Sequence, residues 1–304
     1  MESGKQTAAP RLDALRALFR DRYGFLKDAV DRMEAGFGPP WTAAFERTLD
    51  SVFGDEGELA QAADGYARFV MDLLRRQRRF ERDGDYPAKS FAEAATEVYL
   101  DDDYMTRQYL PGLLLAHFLW PHHVRHAAFF ETAFVAPMRL AADARFAEVG
   151  VGTGLYSRLV LTGIEDARGV GLDISPSSAA FAQRHLKGFS VDDRYELRIQ
   201  DIAADPLAEP VPWLICIEVL EHLEDPVGFL RALRGALAPE GRAFVTAALN
   251  AAHVDHIHLY RTVDDVVAEA VEAGFEVEQA FLANAHDPVA RGVPVPALAA
   301  LMLH

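Results

Sequence analysis

From Arg145 onward, short apolar runs alternate with helical segments, and this alternation restricts what the chain can fold into more than any other feature. The apolar runs cover residues 145–149, 169–174, 196–199, 213–219, 243–247, 276–282 and 297–303. Helical stretches lie between them at 155–161, 177–186, 227–237 and 263–273. Such alternation predicts parallel strands joined by right-handed helical crossovers, an α/β doubly wound sheet of seven strands. Sheets of this kind bind ligands at the carboxyl ends of their strands, beside the switch in strand order.

Residues 1 to about 140 read differently. Leu12, Leu15, Phe19, Leu26, Val30 and Met33 recur at helical steps, the stripe of an amphipathic helix running from Arg11 to Met33. The run Gly36-Phe37-Gly38-Pro39-Pro40 should end it. A second helix is expected at 42–53 and a third from 58 to about 80. Ser90-Phe91-Ala92-Glu93 has the form of a capping box opening a fourth, and further helix is expected at 104–109, 113–120 and 124–135. No β-alternation appears in this half, so two domains are expected, 1–140 all-α and 141–304 carrying the sheet.

Charge and cysteine usage exclude several classes of function. The 304 residues carry 46 acidic and 30 basic side chains, a formal net charge of −16. That balance repels phosphate backbones and anionic lipid, so no nucleic acid and no membrane is expected as a partner. The dense run Arg75, Arg76, Arg78, Arg79 and Arg82 reads as a solvated helix face. Cys216 is the only cysteine, which excludes an intrachain disulfide and fits a reducing, cytoplasmic setting. The longest apolar run, 110–120, is about half the ~20 residues of a membrane-spanning helix. A homodimer stays open as the assembly.

The first strand runs directly into Glu148-Val149-Gly150-Val151-Gly152-Thr153-Gly154 and then a helix. Glycines there let the backbone turn sharply and approach a ligand, while the helix start offers free N–H groups. A carboxylate two residues before the first glycine suits an ammonium group and would repel a pyrophosphate. Asp173 follows Gly154 by 19 positions, where an acid meets ribose hydroxyls in this topology. Asp201, after the third strand, is placed to accept from an adenine amino group, with Ile174 and Ile202 on either side of the ring.

With these residues in view, the chain resembles the class I S-adenosylmethionine-dependent methyltransferases. The matching stretches are EVGVGTG (148–154), GVGLDIS (169–175), QDI (200–202), WLICIEVLEHLEDP (213–226) and GRAFVTAALN (241–250), all within the C-terminal half. The resemblance implies a Rossmann-like fold with an antiparallel last strand and S-adenosyl-L-methionine as cofactor. It puts Glu148 at the methionine ammonium, Gly150, Gly152 and Gly154 in the cofactor loop, Asp173 on the ribose, Asp201 and Ile202 on the adenine, and Glu218 beneath the sulfonium. A nicotinamide-dependent dehydrogenase of the same fold would need G-x-G-x-x-G without Glu148 and has no use for Asp201.

Methyl transfer is an in-line displacement in which positioning supplies much of the catalysis. A hydroxyl or amine acceptor gains from a general base, and His222 and His256, after the fourth and fifth strands, are the candidates. His253 and His258 flank His256. A second possibility is a divalent cation held by Glu218, Glu221, His222 and His256, a pattern that resembles the metal site of some ubiquinone-pathway and small-RNA methyltransferases. The base, or positioning alone, is the expectation, with no metal. The helical half should cap the cleft, with Tyr109, Trp120 and His122 lining the acceptor pocket and Arg107 meeting an acceptor carboxylate or a neighbouring acid. The expected activity is therefore methylation of a small organic molecule at oxygen or nitrogen. A non-catalytic cofactor-binding protein is the other class this pattern admits.

Overall fold

In the computed structural model, residues 9–288 and 294–304 are described. Helix α1 (Pro10–Arg22) begins at a proline, whose missing N–H costs nothing in a first turn. The single helix expected through Met33 is instead broken at residues 23–28, and α2 (Ala29–Val52) follows. The Gly-Pro-Pro segment appears as a kink within α2, where Gly38 adopts φ +69° and the prolines restart the helix. Next come α3 (Glu56–Asp83) and α4 (Phe91–Glu97), the latter opened by the expected Ser90–Glu93 capping box. Then α5 (Asp102–Tyr104), a π turn over Met105–Tyr109 and α6 (Leu110–Leu119) form one continuous rod. A second rod consists of α7 (Pro121–Phe130), a π turn over Glu131–Val135 and α8 (Ala136–Arg139).

The seven strands fall where the apolar runs predict them. They are β1 (Arg145–Val149), β2 (Arg168–Asp173), β3 (Tyr195–Ile199), β4 (Val211–Cys216), β5 (Leu237–Leu249), β6 (Val277–Asn284) and β7 (Ala297–Leu303). The crossover helices are α9 (Leu155–Gly163), α10 (Pro176–Gly188), α11 (Pro226–Ala236) and α12 (Val263–Glu272). The sheet order is β3-β2-β1-β4-β5-β7-β6, with β1 to β5 parallel and β7 inserted antiparallel to both β5 and β6. Chain order reverses between β1 and β4, so the crevice lies at their carboxyl ends.

Alternation along each strand sends side chains to two cores. Phe146, Ile215 and Phe244 face α9, α10 and the N-terminal helices, where Leu12, Phe45, Tyr66 and Phe134 complete one continuous cluster. Ala147, Leu214 and Val245 face α11 and α12, against Leu230, Leu233 and Val266. The helical half therefore lies on one face of the sheet and shares a core with it. Trp41 of α2 donates to the Phe118 carbonyl of α6 at 2.9 Å, and Trp120 donates to the Tyr66 hydroxyl at 3.0 Å. These bonds tie the first rod to α2 and the turn between the two rods to α3. Among the described residues, no helix is long and apolar enough to cross a membrane.

Candidate functional site

The loop after β1 turns through three left-handed glycines: Gly150 at φ +74°, Gly152 at +53° and Gly154 at +72°. A Cβ at Gly150 would lie 2.4 Å from Val219 Cγ2, so the loop needs glycine for both space and backbone angle. Gly150 and Gly152 border a cavity of about 930 Å³ at the carboxyl ends of the strands, while Gly154 sits behind it as the N-cap of α9. Asp173 ties loop and sheet together, accepting from the N–H groups of Gly152 at 3.0 Å and Ser175 at 2.8 Å. Burial pushes its carboxyl above the usual range, and these N–H donors oppose the shift.

Glu148, at the end of β1, is 1% exposed. One of its oxygens accepts from the Ser157 N–H at 2.9 Å and from the Ser157 hydroxyl, which also bonds the Tyr195 hydroxyl. Burial outweighs those donors and raises Glu148 to about 8. Glu218, after β4, is held in an uncommon left-handed conformation at φ +51° by a 2.8 Å bond from its N–H to Thr246 Oγ1. Its Oε1 is buried without a hydrogen-bond partner, 3.8 Å from His123 Nδ1. Burial, then repulsion from Glu221, raises Glu218 to about 8 as well. Two high-pKa carboxyls facing one cavity make a site prepared for cationic groups. Ile174, Asp201 and Ile202 border the same cavity, and Asp201 turns its own loop by accepting from Ala203 N–H at 2.9 Å.

The histidine face is built around Asp255, which the sequence reading passed over. Asp255 is fully buried in the loop after β5. Oδ2 accepts from the Tyr99 hydroxyl at 2.9 Å and the Tyr109 hydroxyl at 3.0 Å, and Oδ1 lies 2.5 Å from His253 Nδ1. Burial would raise this carboxyl, but His222 and His253 hold it well below the usual range. The Asp255 carbonyl lies 3.1 Å from His222 Nδ1, which leaves His222 Nε2 free. Burial works against charge on His222, yet the carboxylates of Asp255 and Glu221 keep its pKa above the usual histidine value. His256 bonds the Ala251 carbonyl through Nδ1 at 2.6 Å, and burial, reinforced by His222, holds its pKa well below normal.

Glu221, His222 and His256 bring ligand atoms within 4.8 Å of one another, as do His253, Asp255 and His256. Glu218 belongs to neither group, so the alternative four-residue set of Glu218, Glu221, His222 and His256 is brought together only in its last three members. In the first group the outer atoms are already engaged: Glu221 Oε1 accepts from Ala248 N–H at 3.1 Å, and both Nδ1 atoms face carbonyls. One carboxylate oxygen and two Nε2 atoms are left to hold a cation, an arrangement typical of metal-ligating histidines.

On the helical side, Tyr109, Trp120 and His122 all border the cavity, with the His122 ring stacked on Trp120 at 5.6 Å. His117 and His123 join them, with Nδ1 atoms 3.2 Å apart. Burial holds His117 at about 3 and His122 at about 4, so both are uncharged near neutral pH. Arg107 lies elsewhere: its side chain is 65% exposed and pairs with Asp103 at 2.7 Å, because the π turn leaves it on the solvent face. Of its two expected roles, the structure places it in the one with the neighbouring acid. The signal for Asp255 was a lone carboxylate inside His253-Val254-Asp255-His256; Tyr99 carried no signal at all.

Residues 147–243 match the model of a methyltransferase domain family. Over 109 residues the chain is 34% identical to the ubiquinone biosynthesis O-methyltransferase of Xylella fastidiosa, covering 34% of this chain and 42% of that protein. The Pseudomonas putida enzyme of the same name is 28% identical over 142 residues, 43% of this chain and 57% of the relative. The chain thus spans about half the length of these relatives. Among solved structures, the mitomycin 7-O-methyltransferase MmcR covers 96% of this chain and 94% of its own at TM-score 0.52 and 17% identity. The neocarzinostatin-pathway O-methyltransferase NcsB1, solved with S-adenosylmethionine and 2-hydroxy-5-methyl naphthoic acid, covers 84% and 76% at 0.51 and 19%. These two likenesses establish the fold across both halves, including the helical region before the sheet. Residues 147–243 are thus similar to a methyltransferase domain, carried on a sheet with the fold of these small-molecule methyltransferases.

Proposed function

We propose that this protein transfers the methyl group of S-adenosylmethionine to oxygen or nitrogen of a small organic acceptor. One observation carries the reading: a loop of three left-handed glycines and the carboxyls of Glu148, Asp173, Asp201 and Glu218 converge on one cavity. Glu148 receives the methionine ammonium, Asp173 the ribose hydroxyls, and Asp201 with Ile174 and Ile202 the adenine. Glu218, unpartnered and buried, faces the sulfonium. Residues 1–140 cap the acceptor, and residues 141–304 hold the cofactor. Tyr109, Trp120 and His122 form part of the acceptor wall. His222, with Nδ1 engaged and Nε2 free, takes the acceptor proton, and the buried Asp255 beside it offsets the charge that forms. His256, kept neutral, stands beside it at 4.9 Å between ring centres.

The competing reading is that Glu221, His222 and His256 hold a divalent cation. It is favoured by the outer-atom bonds just described, and a cation there would lower the pKa of an acceptor hydroxyl. Calorimetric titration with S-adenosylhomocysteine and separately with NADH tests the cofactor assignment. Micromolar-range binding of the first and none of the second is expected; NADH binding overturns it. Elemental analysis of the purified protein, with activity tracked against metal content, decides between base and cation.

A further inference from the structure

Tyr195 opens β3, and β2 lies between that strand and β1, yet the Tyr195 side chain reaches the group that holds Glu148. Two glycines of β2 clear its path. Tyr195 stands opposite Gly169 in the β2–β3 ladder, and its ring leans along that face toward Gly171. A Cβ at Gly169 would lie 2.7 Å from Tyr195 Cδ2, and one at Gly171 would collide with the Tyr195 hydroxyl. Small residues at 169 and 171 thus serve a close approach from the neighbouring strand. At the end of that path the Tyr195 hydroxyl lies 2.6 Å from Ser157 Oγ, and Ser157 bonds Glu148 Oε2 through both its hydroxyl and its N–H. All three side chains are buried.

Ser157 has one hydroxyl proton. When Glu148 is ionised that proton goes to the carboxylate, so the Tyr195 hydroxyl is the donor in the outer bond. Ser157 then accepts one hydrogen bond while giving another, and each strengthens the other. The remaining titratable neighbours give no such help. Asp173, at the end of β2, opposes ionisation of Glu148, while burial keeps Tyr156 of α9 and Cys216 of β4 neutral. We propose, resting on the placement of the cofactor ammonium at Glu148, that Tyr195 is a positioning residue for the cofactor, acting through Ser157 to ready the Glu148 carboxylate for that ammonium. Without the Tyr195 hydroxyl the buried carboxyl is harder to ionise, and binding that requires its ionisation weakens.

The test titrates S-adenosylhomocysteine calorimetrically into the full chain at pH 7 and pH 9, in buffers of different ionisation enthalpy. Tyr195→Phe keeps the ring over Gly169 and Gly171 and removes only the hydroxyl. At pH 7 this variant should bind about three- to tenfold more weakly than the parent, as for a carboxyl whose ionisation midpoint rises by about half to one pH unit. At pH 9, where the parent carboxyl is already ionised, the gap should close to below about twofold, and the variant should release about 0.15–0.4 proton more than the parent. Ser157→Ala should show the same closing gap, and adding Tyr195→Phe to it should cost little more, since one acts through the other. Equal weakening at both pH values, unchanged affinity and proton release in Tyr195→Phe, or fully additive losses in the double variant overturns the inference. Failure of the parent to bind S-adenosylhomocysteine overturns the methyl-transfer reading beneath it.

Discussion

Replacing Glu148 with glutamine separates its charge from its shape. With a pKa of about 8, the ligand-free carboxyl is about 0.9 protonated at pH 7. Glutamine keeps an oxygen for the Ser157 donors, so it resembles the resting state closely. Binding an ammonium group beside Glu148 ionises it, at a cost of about 1.4 kcal/mol at pH 7 that the ion pair must exceed. S-adenosylhomocysteine binding should therefore release about 0.9 proton from this group at pH 7 and about 0.1 at pH 9. Glu218 adds its own share wherever the ligand is cationic at sulfur, so S-adenosylmethionine should release more than its demethylated product. Calorimetry in buffers of different ionisation enthalpy reads both numbers. Glu148→Gln should remove its share and weaken binding about ten- to hundredfold, the loss of a hydrogen-bonded charge. The ligand-free protein supplies a companion test. A carboxyl raised in the folded state stabilises fully below the unfolded value of 4.5, and that contribution is lost as pH rises through about 8. The parent should lose up to about 3 kcal/mol between pH 4.5 and 7 through this group, and Glu148→Gln should lose none of it. Tight binding with no proton release at pH 7, or unchanged affinity in Glu148→Gln, refutes the placement of the ammonium.

Gly150→Ala meets both a positive φ and Val219, and should abolish measurable cofactor binding while costing about 1–3 kcal/mol in thermal unfolding; wild-type affinity would show the loop adapts. Tyr109→Phe removes one of two hydroxyls on Asp255, and should lower kcat about tenfold with cofactor Kd unchanged; equal losses in both would move Tyr109 to the cofactor. Chelator treatment followed by magnesium, manganese or zinc should leave activity unchanged if His222 acts as base, and Glu221→Gln should then shift the pH–rate midpoint of His222 downward; loss and rescue would establish the cation. His126 is buried with its pKa held at about 3, so its contribution is present above the unfolded value of 6.5 and lost as pH falls toward 3. His126→Gln should therefore recover about 2 kcal/mol of the stability lost between pH 6.5 and 4.5, read by denaturant titration at each pH.

The C-terminal half was legible because its signals are local. Strand-length apolar runs, a glycine loop and acids at strand ends each follow from a few adjacent residues, and β1 to β7 fell where the runs lie. The N-terminal half was legible only as helix. Its break at Tyr23–Asp28 interrupts an unbroken apolar stripe, and the two π turns have no sequence period of their own. Asp255 escaped notice because its meaning is tertiary: Tyr99 and Tyr109 reach it from positions 156 and 146 residues away. Arg107 was ambiguous for the same reason, since only the folded rod decides which side of it faces solvent.

The most direct test of the central claim is transfer of label from methyl-tritiated S-adenosylmethionine to a panel of small aromatic hydroxyls and amines, with the product recovered by organic extraction. Label should appear in an extracted acceptor in stoichiometry with S-adenosylhomocysteine, and His222→Gln should suppress it with cofactor still bound. Tight cofactor binding with no label in any acceptor, or label found only on protein or nucleic acid, would contradict the account.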